Sequence, residues 1–136
     1  MPKVASCIML DKEGKILILK RSKKVKSYKE MWGVVAGYIE KDEKPIDTAI
    51  KEIKEEIGFN ESNYRLVKSL DPVRLIDYYE GKKFDWQIYP FLFIIEKKDK
   101  INIDWEHLEY RWVRPSELKN YRTVPHLRKI VLKIIQ

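Results

Sequence analysis

The chain has 136 residues, of which 44% are hydrophobic and 36% are charged, and 28 Lys and Arg against 21 Asp and Glu give a net charge of +7. This composition predicts one folded domain over residues 1–136 and excludes a membrane-spanning chain, because no apolar run approaches the roughly 20 residues that a span needs. The positive charge serves solubility and also favours anionic partners such as nucleotides or nucleic acid. The only cysteine, Cys7, allows no internal disulfide, which fits a reducing, cytoplasmic compartment.

The first third of the chain predicts strands around a basic loop. Residues 3–10 and 15–21 are apolar and strand-like, and the DKEG between them is typical of a hairpin turn. The loop SKKVKSYKE (22–30) follows. A second apolar stretch, MWGVVAGYIE (31–40), is interrupted by two glycines and leads into an acidic segment.

A helix is predicted between Pro45 and Gly58, because proline suits the first turn of a helix and glycine suits the position after its last turn. Five apolar side chains recur at helical spacing and predict a buried face: Ile46, Ala49, Ile50, Ile53 and Ile57. At about 100° per residue, three carboxylates project together from another face: Glu52, Glu55 and Glu56.

The remainder of the chain predicts more strands and a final helix. Strand-like segments lie at 64–70, 73–79, 84–96 and 110–113, with a turn at 80–83. Pro115 predicts a short helical turn. Pro125 predicts the start of a last helix with four inward side chains: Leu127, Ile130, Val131 and Ile134. The order of elements predicts an α/β (α+β) fold with a mixed sheet.

The clustered carboxylates of the predicted helix indicate a metal site. Three neighbouring carboxylates raise one another's pKa unless a cation neutralises them. Oxygen donors without nearby His or Cys favour Mg²⁺ or Mn²⁺ over zinc, and Mg²⁺ held by few carboxylates commonly also binds substrate phosphates. A solvated charged face, balanced by Lys51 and Lys54, is the alternative interpretation of the helix taken alone.

The segment from Gly37 to Phe59 closely resembles the Nudix box, in which fixed spacings join a glycine, a glutamate and the run Arg-Glu-aliphatic-x-Glu-Glu-x-Gly. Eight positions match: Gly37, Glu43, Glu52, Ile53, Glu55, Glu56, Gly58 and Phe59. Lys51 stands where the family usually has arginine, so the charge is kept but the planar, two-pronged grip on a carboxylate is not. The resemblance implies the α/β/α sandwich of Nudix hydrolases.

The resemblance also implies roles for individual residues. The implied catalytic and metal-binding residues are Glu52, Glu55 and Glu56, with the Gly37 carbonyl as a further ligand of Mg²⁺ (or Mn²⁺) and with Glu43 supporting the helix through Lys51. Glu106 is the favoured additional ligand or general base, whereas we expect His107 to be a partly exposed loop residue. We expect Arg21 to contact phosphates and Trp32 to contact the base, although Trp86 and several tyrosines are equally eligible for stacking.

The implied function is a Mg²⁺-dependent pyrophosphohydrolase that cleaves a diphosphate bond in a nucleoside diphosphate linked to another group, such as a nucleoside triphosphate, a dinucleoside polyphosphate or ADP-ribose. One alternative is a non-catalytic nucleotide- or RNA-binding module of the same fold. Another is an isopentenyl-diphosphate isomerase-like enzyme, which would use a cysteine just before the box, whereas Cys7 lies far upstream. We expect a small nucleotide-type partner and no membrane partner, with nucleic acid less favoured, and a homodimer is compatible with the resemblance.

Overall fold

The computed structural model describes residues 1–136 and contains eight β-strands, two α-helices and one 3₁₀ helix. The strands are β1 (Lys3–Leu10), β2 (Ile16–Arg21), β3 (Trp32–Gly33), β4 (Val35–Tyr38), β5 (Tyr64–Ser69), β6 (Val73–Tyr79), β7 (Lys82–Ile95) and β8 (His107–Val113). The helices are α1 (Pro45–Ile57), the 3₁₀ helix (Pro115–Asn120) and α2 (Leu127–Ile134). No helix has the length and apolar character needed to cross a bilayer.

The strands form a mixed sheet around one parallel pair, β1 and β7. All other pairs are antiparallel. β4 lies on the other side of β1, and β5 and β6 pair with successive parts of β7. β2 follows β1 through the tight turn and has β3 on one side and β8 on the other. The predicted mixed sheet is therefore confirmed.

α1 begins and ends where the sequence predicts. Pro45 occupies its first turn, where a backbone N–H would have no helical partner, and Asp47 places a negative charge at the positive end of the helix. Gly58 follows the last turn with φ of 79°, a left-handed conformation that glycine adopts without strain, and its N–H donates to the Lys54 carbonyl. These ends set the position of the acidic residues along the helix.

Two hydrophobic cores lie on opposite faces of the sheet. On one face, α1 buries Ala49, Ile53 and Ile57 against side chains of β1, β2 and β7. On the other face, the 3₁₀ helix and α2 bury Leu118 and Val131 among side chains from the same three strands. Successive side chains of a strand point to opposite faces, so these strands supply both cores. The predicted α/β/α sandwich is confirmed.

The structure corrects three predicted boundaries. β8 begins at His107 rather than at residue 110, because the end of β2 continues to pair with it there. The turn before β7 comprises only Glu80 and Gly81, whose φ angles of 50° and 76° match the two-residue turns that favour hairpins. α2 begins at Leu127 rather than at Pro125, because His126 has φ of 65°, which is incompatible with a right-handed helix.

Candidate active site

A cleft of about 330 Å³ lies where the sheet and both helical layers meet. α1 contributes Lys51 and Glu52 to its lining, and α2 contributes Leu127 and Ile130. Strands and loops add Arg21 and a set of apolar and aromatic side chains. The cleft therefore joins charged groups suited to phosphates with an apolar surface suited to a flat organic ring.

The three glutamates of α1 lie in different environments. Glu55 is exposed, Glu52 is half-buried and lines the cleft, and Glu56 is only 2% exposed. They do not share one outward face, because Glu56 enters the protein beside the buried apolar residues of the helix. Burial, followed by the neighbouring Glu52 carboxylate, raises the pKa of Glu56 well above its ordinary value, and burial also raises the pKa of Glu52.

The structure has no group of three or more His, Cys, Asp and Glu side chains spaced to hold a metal ion, so the metal-binding role of Glu52, Glu55 and Glu56 stays a prediction. The orientation of α1 buries Glu56 and leaves Glu55 in solvent. One oxygen of the buried residue, Glu56 Oε2, has no hydrogen-bond partner. A buried carboxyl oxygen without a partner is costly, so this atom is suited to accept a ligand.

Gly37 presses directly against Glu52. A Cβ built at position 37 would lie 2.5 Å from Glu52 Cγ and closer still to its carboxyl group. The absence of a side chain at Gly37 is therefore what leaves room for this carboxylate beside β4. The sequence motif joins these two residues across a gap of fifteen positions, and the structure shows the contact that requires the glycine.

Glu43 and Lys51 are in contact, with Lys51 Nζ 3.0 Å from Glu43 Oε2. The other Glu43 oxygen accepts the backbone N–H of Glu40 at 2.9 Å and the hydroxyl of Thr48 at 3.1 Å. These bonds from the Glu40 amide and Lys51 lower the pKa of Glu43. The carboxylate thus ties the loop before α1 to the helix itself, through one lysine nitrogen where arginine would offer two.

His107 lies beside the buried glutamate rather than in an exposed loop. It is 9% exposed, its Nε2 is 3.5 Å from Glu56 Oε1, and its Nδ1 is 3.1 Å from Asp104 Oδ1. Burial lowers the pKa of His107 even though Asp104 acts in the opposite direction. The imidazole therefore hydrogen-bonds to Asp104 and packs next to the carboxyl group of Glu56, which comes from a different part of the chain.

Glu106 and Arg21 both line the cleft, and their roles in base catalysis and phosphate binding stay predictions. Burial, with a further contribution from Asp104, raises the pKa of Glu106. Arg21 Nε donates to the Ser27 carbonyl at 3.0 Å, while its terminal guanidinium nitrogens have neither a hydrogen-bond nor a salt-bridge partner. A fixed but unneutralised guanidinium is a suitable donor for an anionic substrate.

Trp32, predicted to bind substrate, does not line the cleft. It is 7% exposed and packs edge-on against Tyr121 in the core beneath α2, because β3 turns its side chain inward. Trp86 and Tyr28 line the cleft instead, with ring centroids 5.7 Å apart. The Tyr28 hydroxyl donates to Asp77 at 2.6 Å, which holds this aromatic surface in place.

Sequence reasoning missed the contributions of Asp104, Ser27 and Tyr28. Ser27 and Tyr28 lie in a lysine-rich loop whose composition predicts exposure to solvent, yet both residues are buried and line the cleft. An aromatic residue within a polar loop was the available signal for Tyr28. The sequence also offered a signal for Asp104, because an acidic residue three positions before a histidine can form an ion pair with that histidine.

The chain matches the family model described as NUDIX domain over residues 1–134. Nucleoside triphosphatase NudI of Escherichia fergusonii is 25% identical over 118 residues, with 85% of this chain and 84% of that protein covered. NudI of Escherichia coli K12 is 24% identical over 122 residues, with the same coverage.

Solved structures support the same fold. A Caenorhabditis elegans Ap4A hydrolase complex superimposes with a TM-score of 0.79 at 18% identity, covering 98% of this chain and 94% of that one. An Escherichia coli dihydroneopterin triphosphate pyrophosphohydrolase gives 0.80 at 17% identity, covering 96% and 92%. Together with the box from Gly37 to Phe59 and the cleft beside it, the match over nearly the whole chain shows that this protein belongs to the Nudix family of hydrolases, which act on phosphorus-containing anhydrides.

Proposed function

We propose that this protein is a Mg²⁺-dependent pyrophosphohydrolase that cleaves the diphosphate bond of a nucleoside diphosphate linked to another group. The observation that carries the proposal is that Glu52, Glu106 and the guanidinium of Arg21 line one cleft, with the buried carboxyl of Glu56 next to Glu52. Nucleoside triphosphates, dinucleoside polyphosphates and ADP-ribose-type molecules all carry this bond. The NudI relatives and the Ap4A hydrolase neighbour support that range of substrates.

The donor set fits a hard divalent cation. Glu56 Oε2 is a buried oxygen without a partner, and the carboxylate of Glu52 is held beside Gly37. Glu52, Glu55, Glu56 and the Gly37 carbonyl would hold Mg²⁺ or Mn²⁺, since oxygen ligands without Cys or imidazole suit these ions. When bound, the cation supplies charge stabilisation at the phosphoryl oxygens and lowers the pKa of a bound water.

Side chains of the protein bind the substrate, orient the attacking water and support the metal ligands. Arg21 binds the phosphate chain through its free terminal nitrogens, and Trp86 and Tyr28 provide the apolar surface on which a base lies. Glu106 lies in the cleft lining, where a carboxylate can orient the attacking water or accept its proton. Glu43 and Lys51 keep the loop and α1 together, and His107 packs next to Glu56.

The position of Cys7 bears on the cellular compartment and on the isomerase alternative. Cys7 is a buried free thiol, in keeping with a reducing cytoplasm. It lies in the core on the α1 face of the sheet and does not line the cleft, so the structure offers no role for it in isomerase-type chemistry. A homodimer stays a prediction from the family resemblance.

The test is hydrolysis of a panel of nucleotides with Mg²⁺ by the wild type, Glu55→Gln and Glu56→Gln, with Glu13→Gln, an exposed residue outside the cleft, as the matched control. We expect each site variant to lose at least about 100-fold in kcat, because charge stabilisation at the metal contributes several kcal/mol. Mn²⁺ affinity, measured by electron paramagnetic resonance, should fall in parallel. Unchanged turnover in both site variants contradicts the assignment, and nucleotide binding without turnover in the wild type favours the non-catalytic module.

A further inference from the structure

Ser6 of β1 brings a hydroxyl group into the cleft. Along β1, Cys7 and Met9 belong to the core under α1, whereas Ile8 belongs to the core under α2. Because successive side chains of a strand point to opposite faces, Ser6 points to the α2 side of the sheet, where it lines the cleft. Ile8, the next residue on this side, is fully buried, so Ser6 lies at the inner end of the cleft.

The Ser6 hydroxyl has no hydrogen-bond partner within the protein. The residue is only 8% exposed. Two side-chain atoms are both fully enclosed and unpaired, Glu56 Oε2 and Tyr64 Oη, and Ser6 Oγ is not one of them, so it can be reached from the cleft. A largely buried hydroxyl without a partner costs free energy, and a ligand group that bonds to it would recover that cost.

The surroundings of Ser6 are apolar. Its cross-strand neighbours are Ala36 on β4 and Pro90 on β7. The lining that comes from α2, β6 and β7 has one polar group, the Trp86 indole N–H, and four apolar side chains: Leu75, Ile88, Leu127 and Ile130. A hydroxyl group of a ligand that enters this part of the cleft therefore has few partners, and Ser6 is the one that can both donate and accept.

Ser6 lies between the two differently built parts of the cleft. β1 has β2 and β4 on one side and β7 on the other. The β4 side carries the groups suited to phosphates, namely Arg21 at the end of β2 and Glu52 beside Gly37. The β7 side carries the Trp86 surface suited to a base. A nucleotide that binds both parts places its ribose over β1, next to the Ser6 hydroxyl.

We propose that Ser6 is a specificity-determining residue whose hydroxyl binds a ribose hydroxyl of the substrate nucleotide. This inference rests on the proposed function, which places phosphates and base at the two ends of the cleft. Serine donates and accepts, so it pairs with a sugar hydroxyl in either sense. An analogue without that sugar hydroxyl leaves Ser6 without a partner in an apolar setting, and the protein therefore selects against it.

The test compares Ser6→Thr with Ser6→Val, two side chains of nearly the same shape of which only threonine keeps the hydroxyl. Affinities are measured by calorimetry with Ca²⁺ in place of Mg²⁺, for a ribonucleotide of the panel and for its 2′-deoxy and 3′-deoxy analogues. We expect the wild type and Ser6→Thr to bind one of the two analogues about tenfold more weakly than the ribonucleotide, since one hydrogen bond in a buried site contributes up to about that factor. The analogue that loses affinity identifies the ribose hydroxyl.

Ser6→Val should bind the ribonucleotide about tenfold more weakly than Ser6→Thr does and should bind that analogue as well as Ser6→Thr within about twofold. Hydrolysis with Mg²⁺ should show the loss in KM, with kcat within about threefold of the wild type, because the contact is the same in ground state and transition state. The melting temperature of Ser6→Val should be no lower than that of the wild type, since the change removes an unpaired hydroxyl from a strand that favours valine. A purely structural role for Ser6 would lower it.

Equal affinities of Ser6→Thr and Ser6→Val for the ribonucleotide overturn the proposal, and so does a loss in Ser6→Val that is the same for all three nucleotides. Purine riboside 5′-triphosphate, which lacks the exocyclic group of the base, supplies a further arm. If the difference between the two variants disappears on this nucleotide but persists on both deoxy analogues, Ser6 contacts the base and the proposal is wrong. If the wild type binds nucleotides with the expected Ser6 dependence but hydrolyses none, the proposed function fails and the ribose contact stands. If it hydrolyses them and the two variants behave alike, the proposed function stands and the ribose contact fails.

Discussion

Replacing Gly37 with alanine should inactivate the enzyme while leaving its fold intact. Position 37 does not have a left-handed φ, so alanine is compatible with the backbone there. Its methyl group, however, would lie 2.5 Å from Glu52 Cγ, where ordinary van der Waals contact begins at 3.4 Å. The Glu52 carboxylate must therefore move by about 1 Å or leave its position beside β4. A displacement of that size at a reacting centre costs about 100-fold in rate, or about 2.7 kcal/mol in activation free energy.

The assay is the initial rate of hydrolysis with Mg²⁺ on whichever panel nucleotide the wild type cleaves, together with Mn²⁺ affinity and the melting temperature. Gly33→Ala is the matched control, because its Cβ would meet Val124 methyl groups at 3.6 and 3.7 Å, an ordinary contact. We expect Gly33→Ala to retain activity within about threefold. Near wild-type turnover in Gly37→Ala, or an equal loss in both variants, would refute the reasoning that Glu52 is held by this contact.

Two further predictions concern His107 and Asp11. His107→Leu should lower kcat by about 10- to 100-fold and weaken Mn²⁺ binding. His107→Gln keeps a polar nitrogen near the position of Nε2, so it should recover part of the lost kcat and part of the lost Mn²⁺ affinity. Equal losses in the two variants would show that His107 serves packing alone. Asp11 is 7% exposed and pairs with Lys98 at 2.9 Å. Burial alone would raise the pKa of Asp11, but the bonds from Lys98 and from two backbone amides lower it. Its stabilising effect is therefore complete above the unfolded pKa near 3.9 and is lost as the pH falls through the lower folded value. Urea unfolding should show Asp11→Asn to be about 1 kcal/mol less stable at pH 7, with a difference that shrinks as the pH falls below about 3.9. A difference that stays constant over this range would contradict this origin.

Local sequence features determined the helix of the box. Pro45, Gly58 and the isoleucines between them predict α1 to the residue, because capping and hydrophobic spacing are properties of neighbouring positions. Local sequence patterns likewise predicted most strands and the order of elements in the α/β/α sandwich. The family motif, with its fixed spacing, implied the contact of Glu43 with Lys51. Arg21 and Glu106 lie outside the motif and were proposed from their charge and sequence context, and both line the cleft.

The sequence by itself therefore determined the fold class, the family and the chemical type of the site, since each depends on spacing along the chain. Tertiary structure alone decided that Glu56 is buried and Glu55 exposed, that His107 meets Glu56, and that Trp86 rather than Trp32 lines the cleft. The physical reason is that helical periodicity gives relative directions around a helix, whereas the absolute rotation of α1 is set by packing against the sheet. Which aromatic ring reaches the cleft likewise depends on how distant strands are paired, and no local pattern encodes that pairing.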